Sequence, residues 1–220
     1  MHLEGMNRYQ AFGIHFGVSL LLFFVLAILV FQLWYPGLLF ESEQGWRALL
    51  LIAGVDLVLG PTLTLLVFAP EKKSLKFDLF VIFLIQIAAL IYGVYTIHGN
   101  RPVGWILFDA QKGFNTVYAH GLPENTLAYI SSQPTRSFYF HLREEDLDKD
   151  AQAYADFVLQ PDNIQPTTSD GFKEHTLSGM EKNSNGEYAF VLDRGIKDSI
   201  QLVLNPAGEP IAIERQATQP

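Results

Sequence analysis

Residues 46–68, WRALLLIAGVDLVLGPTLTLLVF, are apolar enough to cross a bilayer yet hold an acid, Asp56, and a proline, Pro61, near their middle. A carboxylate at the centre of a spanning helix disfavours insertion by roughly 2.5 to 3.5 kcal/mol, whereas each Leu, Ile, Val or Phe contributes about 0.3 to 0.6 in its favour. The aliphatic neighbours of Asp56 offset that cost, so the segment is expected to span. Pro61 has no N–H and its ring crowds the carbonyl four residues back, so the Leu57 carbonyl is expected to lose its helical donor in a region without water. At helical spacing Ala53, Asp56, Gly60 and Thr64 share a face. Small or polar residues on one face let membrane helices approach and exchange hydrogen bonds, and this face reads as a docking surface.

Two further apolar runs flank this one. The first, 11–33, is long enough to cross roughly 30 Å of hydrocarbon, with Trp34 and Tyr35 marking an interface and Pro36-Gly37 stopping the helix. It exceeds a signal-peptide core and has neither a small-residue cleavage pattern nor a prepilin leader, so it reads as a retained anchor. The third, 77–97, is interrupted by Asp78 near its start and Gln86 in its middle. Residues 1–10 read as a polar tail, 38–45 as a short loop, and Ala69-Pro70 as the close of the central helix. The positive-inside rule weighs Arg8 with Lys72, Lys73 and Lys76 against Arg47 and Arg101. It places the N-terminus in the cytoplasm and everything after the third helix outside, the periplasm of a Gram-negative cell.

Composition changes where the spans end. Residues 1–100 carry five Lys or Arg against six Asp or Glu, whereas residues 101–220 carry ten against seventeen. An acidic second half does not attract nucleic acid or anionic lipid. Cysteine is absent, which excludes disulfides, thiolate metal sites and a cysteine nucleophile. From Arg101-Pro102 onward the pattern predicts strands at 103–108, 114–119 and 138–142, a helix over 144–159, a loop over 161–186, and a meander of strands at 187–192, 199–205 and 210–214. The expected architecture is three transmembrane helices within 11–100 followed by a small α+β periplasmic domain over 101–220.

No catalytic constellation emerges. Asp146, Asp148 and Asp150 open like a calcium loop, but Ala151 and Phe157 stand where glycine and glutamate are needed, and an acidic helix start is the better reading. His15 and His98 fall near opposite membrane faces, so one cofactor could not use both. There is no G-x-S-x-G, no H-E-x-x-H and no phosphate-cradling glycine loop. An intramembrane aspartyl protease needs two carboxyls sharing a site, and Asp56 is the only deeply placed one. No metal or cofactor is expected, and the protein is not expected to be an enzyme. Asp56 carries two readings: a contact with a partner's membrane segment, or a bond to Gln86 or Thr64 that holds the bundle together.

The membrane half resembles the TfpX/TfpZ family of type IV pilin accessory proteins. The likeness rests on Leu33-Trp34-Tyr35-Pro36-Gly37 with Phe40, on Gly54-Val55-Asp56-Leu57-Val58-Leu59-Gly60-Pro61, and on Lys72-Lys73-Ser74 with Asp78. Gln86, Ala88-Ala89-Leu90, Tyr92-Gly93, Tyr95-Thr96 and Arg101-Pro102-Val103 complete it, so that it covers about residues 6–103 and thins beyond them. The resemblance implies an inner-membrane chaperone for the major pilin, one that promotes its stability or assembly without joining the fibre. A pilin waits in the membrane as a long apolar helix with an acid and a terminal amine near its start. Asp56, with the carbonyl at Leu57, would receive that amine or another polar group, Gly60 and Pro61 would shape the approach, and Thr64 and Gln86 would complete the contact. The outer domain would meet the pilin head. The rival classes are a pilin-modifying enzyme, which needs a donor-binding motif, and a small-molecule sensor or transporter, which needs a polar path or an outer ligand site. Self-association through the small-residue face stays open, and the lipid bilayer is the surrounding partner.

Overall fold

The computed structural model of the chain describes residues 6–109, 113–140, 160–193 and 200–215. It divides into two compact units, one of Met1–Phe40 with Gln44–Gly99 and one of Glu41–Glu43 with Asn100–Pro220.

Among its described residues the first unit has three helices that are long and apolar enough to cross a membrane: α1 (Arg8–Trp34), α2 (Trp46–Val67) and α3 (Leu75–Gly99). Helix α1 begins earlier than its apolar run, because Asn7 and Gln10 form a reciprocal cap in which each side chain accepts from the other's backbone N–H at 2.9 Å. Residues 8–10 are therefore helical, where the sequence reads as an unfolded tail. The expected loop 38–45 holds a helical turn over Leu38–Ser42. Most of the large apolar side chains on these helices point outward, among them Val18, Leu21, Phe24, Leu59, Leu66, Phe80 and Ile85, as lipid-facing surfaces do. Two apolar layers hold the bundle. Leu26, Val30, Ile52 and Ile97 form one, and Ala11, Phe68 and Leu75 the other. The His98 ring meets Trp34 edge-on at the first end, with centroids 5.5 Å apart, while Arg8 and the lysine loop belong to the second.

Among its described residues the second unit is built on a seven-stranded sheet of order β4-β3-β1-β2-β5-β6-β7. The strands are β1 (Pro102–Asp109), β2 (Gly113–Tyr118), β3 (Ser137–Phe140), β4 (Ile164–Pro166), β5 (Tyr188–Asp193), β6 (Ile200–Leu204) and β7 (Pro210–Arg215). The β1–β3 and β2–β5 pairs are parallel and the other neighbours antiparallel. Alternation fixes the faces. Ile106 and Phe138 pack with Ile130 of helix α4 (Glu124–Ser132) and Ile164, while Tyr139 and Phe190 meet Phe172 of helix α5 (Asp170–His175) and Phe114 meets Phe190. Both helices correct the sequence reading, which gave no helix at 124–132 and a loop over 161–186. In the latter stretch lie β4, α5 and two 3-10 turns; Ile164, Phe172 and Leu177 are buried in β4, α5 and the second turn, and Ser169 caps α5 by accepting from the Phe172 N–H. The helix expected over 144–159, the acidic run Asp146 to Asp150 and the turn residues 110–112 and 194–195 lie outside the described residues. In this unit Glu43 accepts hydrogen bonds from the Thr116 and Tyr118 hydroxyls at 2.8 and 2.7 Å.

One five-residue turn, N-x-x-G-E, occurs twice, at 183–187 and 205–209, with the same bonds each time. The Asn side-chain oxygen accepts from the backbone two and four residues on, its NH2 donates to the Glu carboxylate, and glycine sits at φ 81° and 83°. The environments differ. A Cβ at Gly186 meets open space, whereas at Gly208 it would strike the Thr167 carbonyl oxygen, beside the bond that Thr167 Oγ1 donates to Gly208 O at 2.6 Å. Gly186→Ala should cost about 1–2 kcal/mol for the left-handed backbone alone, and Gly208→Ala roughly 1–3 kcal/mol more for the clash. Thermal melts of the two full-length variants check this; equal losses would mean that the turn at 205–209 does not hold the Thr167 segment.

Candidate functional site

The site is the polar middle of the helical unit, between its two apolar layers. Helix α2 does not keep one register through it. Over Gly54–Leu59 it widens into a π-turn, closed by the Gly60 N–H donating to the Val55 carbonyl five residues back. Pro61 follows directly and has no N–H to donate back into the turn, so the π-turn and the proline fall together beside Asp56 and Leu57.

Asp56 is 5% exposed. Gly60, Pro61 and Thr64 are also buried, Leu57 and Gln86 are half-buried, and Ala53 is half-buried at the margin. The face expected to dock a partner is in large part turned toward the chain's own helices. Thr64 Oγ1 shares a 2.6 Å hydrogen bond with His15 Nδ1 of α1. The Gln86 side chain of α3 reaches the same histidine ring, and the Asp56 carboxyl lies close enough to act on it electrostatically. At Gly60 the Gln86 side chain of α3 lies so close that any Cβ would overlap its amide. His15 is the member that sequence reading did not join to the others. Its signal was the stripe Ala11, His15, Ser19 at four-residue steps, of which the two small members are buried.

Satisfaction is incomplete. Among the described residues of the bundle, Asp56 Oδ2 and Gln86 Oε1 are buried and lack a hydrogen-bond partner. An unmade bond of this kind costs about 1–3 kcal/mol. Beside Asp56 a cleft of about 260 Å³ opens between α2 and α3, lined by Leu51, Ile52, Val55, Leu90, Gly93 and Ile97 among others. Asp56 is its only acid. A second cleft of about 300 Å³ lies on the other side of the cluster, where Ile14, His15 and Val18 face Leu79 and Phe83. No group of three or more His, Asp or Glu close enough to hold a metal occurs among the described residues. The chemistry on offer is recognition of a hydrogen-bond donor or a cation inside hydrocarbon.

The profile described as "Fimbrial assembly protein FimB" matches residues 4–37. Over 102 residues the chain is 40% identical to the fimbrial assembly protein of serogroups C1 and C2 of Dichelobacter nodosus, covering 46% of this chain and 77% of that relative. The fimbrial assembly proteins of serogroups I and E1 of the same organism are 37% and 39% identical over 102 residues, and there the match spans 39% of each relative's length. No solved structure matches.

Proposed function

Because the chain belongs to the fimbrial assembly protein family, we propose that it serves fimbrial assembly from the bacterial inner membrane, as a chaperone that holds the major type IV pilin. The finer assignment is the TfpX/TfpZ group of pilin accessory proteins. The observation that carries this reading is the unpartnered Asp56 Oδ2 at the side of an apolar cleft between α2 and α3. A pilin helix entering the cleft would bury its apolar surface against Leu51, Val55 and Leu90 and give its terminal amine, or another donor, to Asp56. Hydrogen bonds to a charged group contribute roughly 1.5–3 kcal/mol, enough to favour one helix over the bulk of membrane helices. The N-terminus would then be cytoplasmic and the sheet domain periplasmic, where it would meet the pilin head. The role is to hold and present, with no covalent step.

Photo-crosslinking in native membranes tests the reading. Probes belong on the cleft rim at Leu51 and Tyr92, which are 64% and 72% exposed, with a control at Leu66, 74% exposed and away from the cleft. Pilin adducts are expected from the two rim positions and not from Leu66. Adducts to the chain alone, or equal yields from all three, would return Asp56 to a purely structural part.

A further inference from the structure

The second cleft carries a different chemistry from the first, and its rim is cationic. On α1, Arg8 lies three and seven residues before Ala11 and His15, both of which line the cleft; on α3, Lys76 lies three and seven residues before Leu79 and Phe83, which line its opposite wall. Helical spacing therefore sets one exposed cation at the same end of each wall. In the connecting loop the exposed Lys73 and Glu71 offset each other, and Lys72 is taken up by Asp78 at 2.6 Å, which leaves Arg8 and Lys76 as the net charge of the rim. Helices α1 and α3 both begin at this end, so their positive dipole ends add to the field. Below the rim Met6, Ile14, Val18, Phe68 and Phe83 supply an apolar trough. From Arg8 to Val18 the helix rises roughly 15 Å, the depth of one leaflet of a hydrocarbon core about 30 Å thick.

We propose that this cleft is a binding site for one anionic glycerophospholipid, its phosphate held by Arg8 and Lys76 and one acyl chain lying between α1 and α3. Charge complementarity selects the occupant. A zwitterionic lipid fills the trough equally well but gains little from the rim, and a protein helix of ordinary flanks brings no phosphate to it. The site shares no lining residue with the Asp56 cleft. It would fill the gap that α3 leaves against α1 and brace the helix that carries Gln86.

Native mass spectrometry of the full-length chain, titrated with dioleoyl phosphatidylglycerol or dioleoyl phosphatidylcholine, reads the preference. Retention of one phosphatidylglycerol over phosphatidylcholine is expected, falling on the order of tenfold in the Arg8→Gln/Lys76→Gln double variant and little in Lys72→Gln. Equal retention of the two lipids, or a preference that survives the double variant, overturns the site. A second measurement needs no variant. A phosphatidylglycerol with a photoreactive acyl chain should label Ile14, Val18 and Phe83 in the wild-type chain. Labelling spread evenly over Leu51, Leu59 and Leu66 as well would reduce the lipid to an ordinary annular one and sink the proposal.

Discussion

Asp56→Asn is expected to leave the chain at wild-type abundance in the membrane while surface pili fall by roughly tenfold or more, the factor that corresponds to losing about 1.5–3 kcal/mol of a charge-assisted bond. Asparagine keeps the size of the side chain and one carbonyl oxygen, so packing against α1 and α3 survives, but it cannot supply a negative charge to an amine. Asp56→Leu separates the two readings further. If Asp56 only braces the bundle, leucine should weaken the chain. If the acid is kept for a partner, leucine removes a buried oxygen that lacks a bond and should raise the melting temperature while pili are lost. Wild-type piliation in Asp56→Asn would end the polar-contact reading, and loss of the protein itself would make Asp56 structural. Quantified pili beside an immunoblot of the membrane fraction distinguish these outcomes.

The three spans were legible because length and apolar content alone decide them, and no soluble alternative competes for runs of that kind. Their ends were less so. Helix α1 starts at Arg8 because two side chains cap it, a local signal that an apolar window passes over. In the sheet domain the strands with two-residue alternation were readable, whereas α4 and α5 were not. Helix α4 buries only Thr126 and Ile130, and α5 only Phe172, so neither carries enough periodicity to stand out from loop composition. Burial between strands far apart in sequence, such as the parallel pairing of β2 with β5, supplies what the short windows lack.

For the site, the one-faced set Asp56, Gly60 and Thr64 followed from the spacing of a single helix. What covers that face did not. The spacing within α2 cannot say that His15 meets Thr64, because pairing between membrane helices is decided by shape and by polar groups on other segments. Nor could the π-turn over Gly54–Leu59 be read, since one extra residue in a turn leaves no mark in an apolar stretch. The two clefts were equally hidden, because each is lined by more than one helix: along α3, Leu79 and Phe83 line one and residues from Ala89 to Ile97 the other, with Gln86 against Gly60 between them.

That single close approach sets the largest stability effect expected in the membrane unit. Gly60→Ala places a methyl group on the Gln86 amide, so α3 must shift or Gln86 must leave its place beside His15. Overpacking of this kind costs about 1–3 kcal/mol, and displacing a buried amide adds to it. The cost is specific to one pair, which makes it testable by a double-mutant cycle. Gln86→Ala alone loses the contact with His15 and opens space at Gly60. Gly60→Ala in that background puts its methyl into the vacated space and should be nearly neutral or slightly stabilising, giving a favourable coupling of roughly 2 kcal/mol between the two substitutions. Thermal unfolding of the four full-length proteins in one detergent measures it. Additive losses would show that α3 is not seated on Gly60 through Gln86, and the two clefts would then have no fixed wall between them. A strong coupling would instead make Gly60 the pivot on which both widths depend, and a Gly60 variant should disturb pilin crosslinking at Leu51 and lipid retention at Arg8 together.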